Sequence, residues 1–236
     1  MQQSVGLDGL PCQRRIHSTN KSTRLQVALN HVETMTFQQE LSSWFSPTPA
    51  NTNTPPEAPA IGSKAPDTAK LRVGNGKPTV IAFLRHCGCP FAEKTFLNLR
   101  EAARAHKNLA FTAVSHSSAA ATETWLKSLP QAGSEPANLD IVVDPEVYGA
   151  WGLGPSSYAH VLSPGSLYAV WKLGQSENIW NRPTESGSRW QTSGFFAVDG
   201  GGVVRWGRAA ERADDIPDFE EAVRVLEGDG EIEAKL

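Results

Sequence analysis

The sequence predicts an α/β domain over residues 61–229, with a central mixed sheet flanked by helices, a Trp-rich insertion and a flexible N-terminal extension. Three observations carry that expectation. Short β-branched and apolar runs alternate with amphipathic stretches between residues 79 and 151, as βαβ units require. Two further strand-like runs flank Asp199-Gly200-Gly201-Gly202, as in a hairpin. A last helical stripe closes the chain.

The elements follow in order. Thr79 to Leu84 (TVIAFL) is a buried-strand run placed after the breaker Gly-Asn-Gly-Lys-Pro. From Pro90 to His106, Ala92, Phe96, Leu99 and Ala103 share one face at helical spacing, with charges opposite. Leu109 to Val114 is the second strand, and Ser117 or Ser118 can cap a helix carrying Ala121, Trp125 and Leu129 on one side. Asp140 to Val143 forms a third strand, followed by a short helix from Val147 to Trp151 that ends at Gly152. Residues 153–190 are rich in Gly, Ser and Pro and read as an irregular insertion, too long for an ordinary connection. Gly194 to Val198 and Val203 to Trp206 make the hairpin. Asp215 can cap the final helix, with Ile216, Phe219, Val223 and Leu226 as its stripe and Gly228 as its stop.

Outside this domain, residues 1–34 read as a disordered leader, with a faint transit-peptide flavour from Arg14, Arg15, Lys21 and Arg24. Residues 35–60 read as a short helix bearing Phe37, Leu41, Trp44 and Phe45, then a Pro-rich tether, and residues 230–236 as a tail. Hydrophobic residues make up 39% and charged residues 20% of the chain, which excludes a wholly disordered protein. A formal charge of -3 gives no footprint for nucleic acid or an anionic membrane. No run approaches the roughly 20 apolar residues of a membrane helix. Three cysteines are too few for a stapled secreted domain and fit a reducing, cytoplasmic setting, or an organelle if the leader is a transit peptide.

The chemistry concentrates in Phe83-Leu84-Arg85-His86-Cys87-Gly88-Cys89-Pro90-Phe91, where a buried strand stops and a helix starts. Pro90 suits the first helical position, which makes Cys89 the N-cap. There its sulfur would face the free amides of Phe91 and Ala92, at the positive end of the helix dipole. Arg85 and His86 add positive charge. A reactive thiolate at Cys89 is the expectation, set against the alternative of a small buried hydrophobe. A Cys87–Cys89 disulfide across one glycine would be strained. Zinc is disfavoured, because no second pair of ligands stands at the right spacing. His116 ends the second strand at the same end of the sheet, as a site residue or as a neighbour of a helix cap. Trp171, Trp180, Trp190 and Tyr168 either wall an apolar pocket or pack the insertion onto the sheet.

These residues carry a resemblance. The stretches PTVIAFLRHCGCPF, VVDPEVYGAWGL and GFFAVDGGGVVRW, with the element order β, α, β, α, β, short α, insertion, β, β, α, resemble the peroxiredoxin-like proteins of the alkyl hydroperoxide reductase/thiol-specific antioxidant family, within the thioredoxin superfamily. The resemblance implies a thioredoxin-like fold and a thiol oxidoreductase that acts on a peroxide or disulfide. It implies no cofactor and no metal. The partners it suggests are a small-molecule substrate, a thiol reductant such as glutathione or thioredoxin, and a second copy of the chain. Cys89 matches the peroxidatic cysteine, with Cys87, Arg85, His86 and Arg205 as catalytic candidates, Arg205 standing roughly where the family places an arginine near the thiolate. Pro90, Phe91, His116, Thr192, Trp171 and Trp190 are the candidates for binding substrate.

The chain also departs from the family. His86 stands where peroxiredoxins carry a threonine, Ala82 where they carry a proline, and Ala92 where relatives often place a second cysteine. A non-redox module that binds an apolar metabolite or a partner, and a specialised pathway enzyme using the same pocket, therefore stand as alternatives.

Overall fold

The computed structural model describes residues 57–156, 161, 163–183 and 186–228. The leader, the proposed helix near Trp44, most of the tether and the tail lie outside them, as does Cys12. The elements are β1 (Thr79–Phe83), α1 (Pro90–Ala105), β2 (Ala110–Ser115), α2 (Ala119–Ser128), β3 (Leu139–Val143), α3 (Glu146–Ala150), α4 (Pro164–Glu177), β4 (Gly194–Val198), β5 (Val204–Ala209) and α5 (Phe219–Glu227).

One five-stranded sheet runs in the order β3-β2-β1-β4-β5. β1 and β2 pair in parallel, as do β2 and β3, whereas β4 is antiparallel to both β1 and β5. Alternation along β1 sends Val80 and Ala82 to one face and Ile81 and Phe83 to the other, and both faces are covered. On the first face α1, α2 and α5 bring Phe96, Leu99, Trp125, Phe219 and Val223 onto Phe111 and Phe195. On the second, Val147, Tyr148, Trp151 and Leu153 meet Phe83 and Phe196. Trp151 is wholly buried against those two rings, with centroids at 5.3 and 4.8 Å. The near end of the tether joins this second cluster through Ala58.

Two expectations are corrected. The insertion is not irregular, since fourteen of its residues form α4. Ser163 caps that helix by accepting from the Ser166 amide at 3.0 Å, Pro164 occupies the first turn, and Asn178 ends it in the left-handed region at φ 56°. The Ser-Pro-Gly run that reads as loop is a helix start, because proline is tolerated there. The final helix is capped by Asp218 rather than Asp215: the Asp218 carboxylate accepts from the Glu220 amide at 3.0 Å. Pro217 excludes Ile216 from helical backbone, so the helix begins only after it. Asp215 instead pairs with Arg208 and accepts from the Glu211 amide. Both Ser118 at α2 and Gly228 after α5 stand where the sequence places them.

Candidate functional site

β1 ends and α1 starts within six residues, and that junction carries both described cysteines. Each is a free thiol with 5% of its surface exposed. Cys89 is the N-cap of α1 in extended conformation (φ -72°, ψ 129°), with Pro90 at the helix start, but its own side chain makes no capping hydrogen bond, so the expected contact of the sulfur with the Phe91 and Ala92 amides is not made. Its amide donates to the His86 carbonyl and its carbonyl accepts from the Glu93 amide, both at 3.1 Å. A turn tied at both ends therefore holds the Cys89 backbone at the positive pole of the helix.

Arg85, four residues before it in the chain, is buried too. Its Nη2 donates to the Arg189 carbonyl at 2.7 Å, while Nε and Nη1 have no partner among the described residues. The side chain lines a small cavity with Phe91, Ala92 and Thr95 of α1. A buried guanidinium with free donors is costly to maintain unless an anion uses it.

His86 contributes no charge, contrary to the sequence expectation. Burial pushes its pKa well below the usual histidine value, and Arg85, Arg189 and His116 reinforce that shift. His116 is held neutral as well, with burial lowering its pKa to about 4. Its Nε2 faces the Ser188 carbonyl and amide, each at 3.2 Å, and its ring stands edge-on to Tyr148. The Tyr148 hydroxyl donates to the carbonyls of Leu84 and Val114, tying the ends of β1 and β2 together, and burial raises its pKa well above the ordinary phenol value.

Both imidazoles are neutral in the folded chain but would be protonated below about pH 6.5 when unfolded. Their stabilising contribution is therefore complete above that pH and declines as pH falls towards 4. Each should cost up to about 1.4 kcal/mol per pH unit across that window. Denaturant titrations between pH 7 and 5 should show this loss, and His116→Gln should roughly halve its slope.

The insertion settles over the junction. Arg182 donates through its amide to the Gly88 carbonyl at 2.9 Å, and through Nε and Nη2 to the two oxygens of Glu93 at 2.8 and 3.0 Å. Glu93 lies in the first turn of α1 and is almost fully buried. Gly88 has φ +100°, and a Cβ there would lie 2.8 Å from the Arg182 carbonyl and 2.9 Å from that of Pro183. Only glycine permits this close crossing. Further along, the Ser186 carbonyl accepts from Ser117 Oγ, and its own Oγ accepts from the Ser118 amide.

Cys87 has a different environment from Cys89. Its sulfur lies 3.8 Å from Ser115 Oγ and 3.7 Å from Thr122 Oγ1, and its amide donates to Ser117 Oγ. It opens onto a cleft of about 170 Å³ lined also by Ala121, Thr124, Trp125 and Ser128 of α2 and by Arg182 and Pro183. Cys89 does not line that cleft.

Other candidates are dispersed. Arg205 lies in the hairpin, ion-paired to Asp199 at 2.6 Å, and its neighbour Val204 is in register with Val198, itself opposite Thr79 at the start of β1. That is the far end of the sheet from Cys89. Thr192 donates its amide to the Gly154 carbonyl just before β4. Trp190 is buried, whereas Trp171 and Tyr168 pair with each other on an exposed face of α4. Trp180 covers Gly174. These four aromatics therefore form no common wall. Glu93, Arg182, Ser115 and Thr122 stand near the two cysteines or their turn and are candidates that the sequence does not single out. The only signal for them was a carboxylate placed one helical turn after the cysteine.

A parallel β1-α1-β2 unit, flanked on one side by an antiparallel pair and closed by a final helix, with the cysteine at the β1–α1 junction, decides the architecture. The fold is thioredoxin-like. β3 and α3 extend it beyond β2. No family model matches the chain, and no curated protein is similar to it in sequence. Among solved structures, a peroxiredoxin-like protein from Aquifex aeolicus is similar at 16% identity and a TM-score of 0.47, over 72% of this chain and 88% of that one. The thiol peroxidase from Chromobacterium violaceum is similar at 13% identity and 0.46, over 73% and 89%. A peroxiredoxin 6 variant from Arenicola marina is similar at 12% identity and 0.48, over 71% and 72%. Among the described residues of this thioredoxin-like chain, no helix is long and apolar enough to cross a membrane, and no group of three or more His, Cys, Asp or Glu could hold a metal ion.

Proposed function

We propose that this chain is a thiol-dependent oxidoreductase in which Cys89 attacks a peroxide. The observation that carries the reading is the placement of Cys89 as the N-cap of α1, directly before Pro90 at the helix start. The half-unpartnered guanidinium of Arg85 supports it. The Cys89 thiolate attacks one oxygen of the O–O bond, the bond breaks, and the leaving oxygen departs as an alkoxide that takes up a proton. Cys89 is left as a sulfenic acid. A thiol, whether Cys87, glutathione or thioredoxin, then condenses with it and releases water. Arg85 Nε–H and Nη1–H supply donors for the charge on the oxygen. A reducing cytoplasmic compartment suits this cycle.

The burial of both thiols favours a second reading, a non-redox thioredoxin-fold module that holds a metabolite or partner. Alkylation of each cysteine as a function of pH, read by mass spectrometry with and without a peroxide pulse, separates the two. The redox reading expects Cys89 to alkylate with a pKa below about 7 and to be blocked by the pulse. An unreactive Cys89 that peroxide leaves unchanged overturns it in favour of the binding module.

A further inference from the structure

A groove lies between β5, an outer strand of the sheet, and the start of α5. Ile61, Trp206, Ile216 and Pro217 give it apolar walls over the buried Phe195, and its volume is about 350 Å³, against about 170 Å³ for the cleft beside Cys87. That size falls in the range of small-ligand pockets, roughly 300–1,000 Å³, so it takes a few side chains rather than a whole partner surface. Ile61 is 54% exposed, and the other large exposed apolar side chains among the described residues belong to α4 and the stretch after it, none of them in this groove. An apolar concavity with an exposed wall marks a place where something binds. Two backbone hydrogen bonds fix the incoming chain beside it: the Gly62 amide donates to the Val204 carbonyl at 2.7 Å, and the Val204 amide to the Ser63 carbonyl at 2.9 Å. Whatever precedes Ile61 in sequence is therefore delivered next to the groove.

In sequence, Ile61 is preceded by residues 46–60, rich in Pro, Thr and Asn, and these by residues 37–45, FQQELSSWF, with Phe37, Leu41, Trp44 and Phe45 and a single charge. We infer that residues 37–45, which lie outside the described residues, occupy this groove on the same chain. A linker the length of residues 46–60 reaches at most about 50 Å, and a short linker holds the joined segment at an effective concentration on the order of millimolar. Docking then needs only weak affinity, which the burial of large apolar side chains such as Leu41 and Trp44 supplies. Pairing the segment with the groove removes both apolar surfaces from water. A second copy or a free ligand would have to displace a segment that is always nearby. The assignment is independent of the chemistry at the cysteines.

The test uses the full chain labelled with 5-fluorotryptophan and read by fluorine NMR. Seven tryptophans give seven lines, and Trp44→Phe and Trp206→Phe assign two of them. Docking expects the Trp44 line to stand away from its position in urea and to stay there on dilution. Leu41→Asp should cut the docked population at least about tenfold, moving the Trp44 line to its urea position and shifting the Trp206 line. Ile61→Asp, at an exposed position of the groove wall, should do the same, whereas Leu167→Asp on the exposed face of α4 should move neither line. A Trp44 line at its urea position in the parent overturns the proposal. So does a displaced line that Ile61→Asp leaves in place, that moves with Leu167→Asp instead, or that is lost on dilution, the last assigning the groove to a segment of a second copy. Unchanged lines of the buried Trp125 and Trp151 confirm in each variant that the fold persists.

Discussion

Cys89→Ser should reduce peroxide consumption by at least roughly a thousandfold, the scale on which removal of a nucleophile acts, and should leave the fold intact. Serine is among the favoured N-cap residues, so the α1 start that Cys89 provides is preserved or slightly strengthened. Thermal unfolding of the variant should therefore match or exceed that of the parent while peroxide consumption disappears. Cys87→Ser should keep the first turnover, because its sulfur lies among Ser115, Thr122 and the cleft rather than at the helix cap. Peroxide consumption that survives in Cys89→Ser would transfer the chemistry to another group.

The second large effect concerns the pair of Arg182 with Glu93. Arg182→Met leaves the Glu93 carboxylate, only 2% exposed, without its bidentate partner. Breaking a buried pair from one side typically costs about 3–5 kcal/mol, and because a third of the Arg182 side chain is solvent-exposed the expected loss is nearer 2–3 kcal/mol. Equilibrium unfolding in urea reads that loss. In the same variant residues 179–183 lose a tether over Gly88, so alkylation of Cys87 and Cys89 should accelerate. Adding Glu93→Gln to Arg182→Met should recover most of the stability, since a neutral amide is far less costly to bury than a lone carboxylate, and should leave the thiols fast. A change in unfolding free energy under about 0.5 kcal/mol in Arg182→Met would show that the pair contributes no more than a surface one.

The strands, the first two helices and the cap position of Cys89 were legible because each is set by local pattern. Apolar runs between breakers mark β1 and β2, and Pro90 fixes where α1 begins. The Ser163 cap carried an equally local signal, which the Gly and Ser around it masked. Asp215 has the chemistry of a cap, but Pro217 keeps the residue before it out of helical backbone and moves the helix start beyond it. The site itself was only half legible. That Cys89 would cap a helix is a matter of sequence, but the neutrality of His86 depends on burial and on Arg85 and Arg189, and the pairing of Glu93 with Arg182 spans 89 positions. Arg205 was misplaced because its nearness to the thiolate was inferred from a resemblance, whereas register puts it at the far end of β5.

The packing of Trp180 onto Gly174 has a kinetic consequence. A Cβ at Gly174 would lie 2.4 Å from the indole, so α4 and the strand-like stretch after Asn178 are held flush, and Leu173 and Ile179 anchor them in the core. Cys89, 5% exposed, does not line the cleft onto which Cys87 opens. Reaction at Cys89 is then preceded by a local opening step that belongs to the protein alone. Reagents that capture the open state faster than it recloses should converge on one common rate, independent of their concentration and of their intrinsic reactivity.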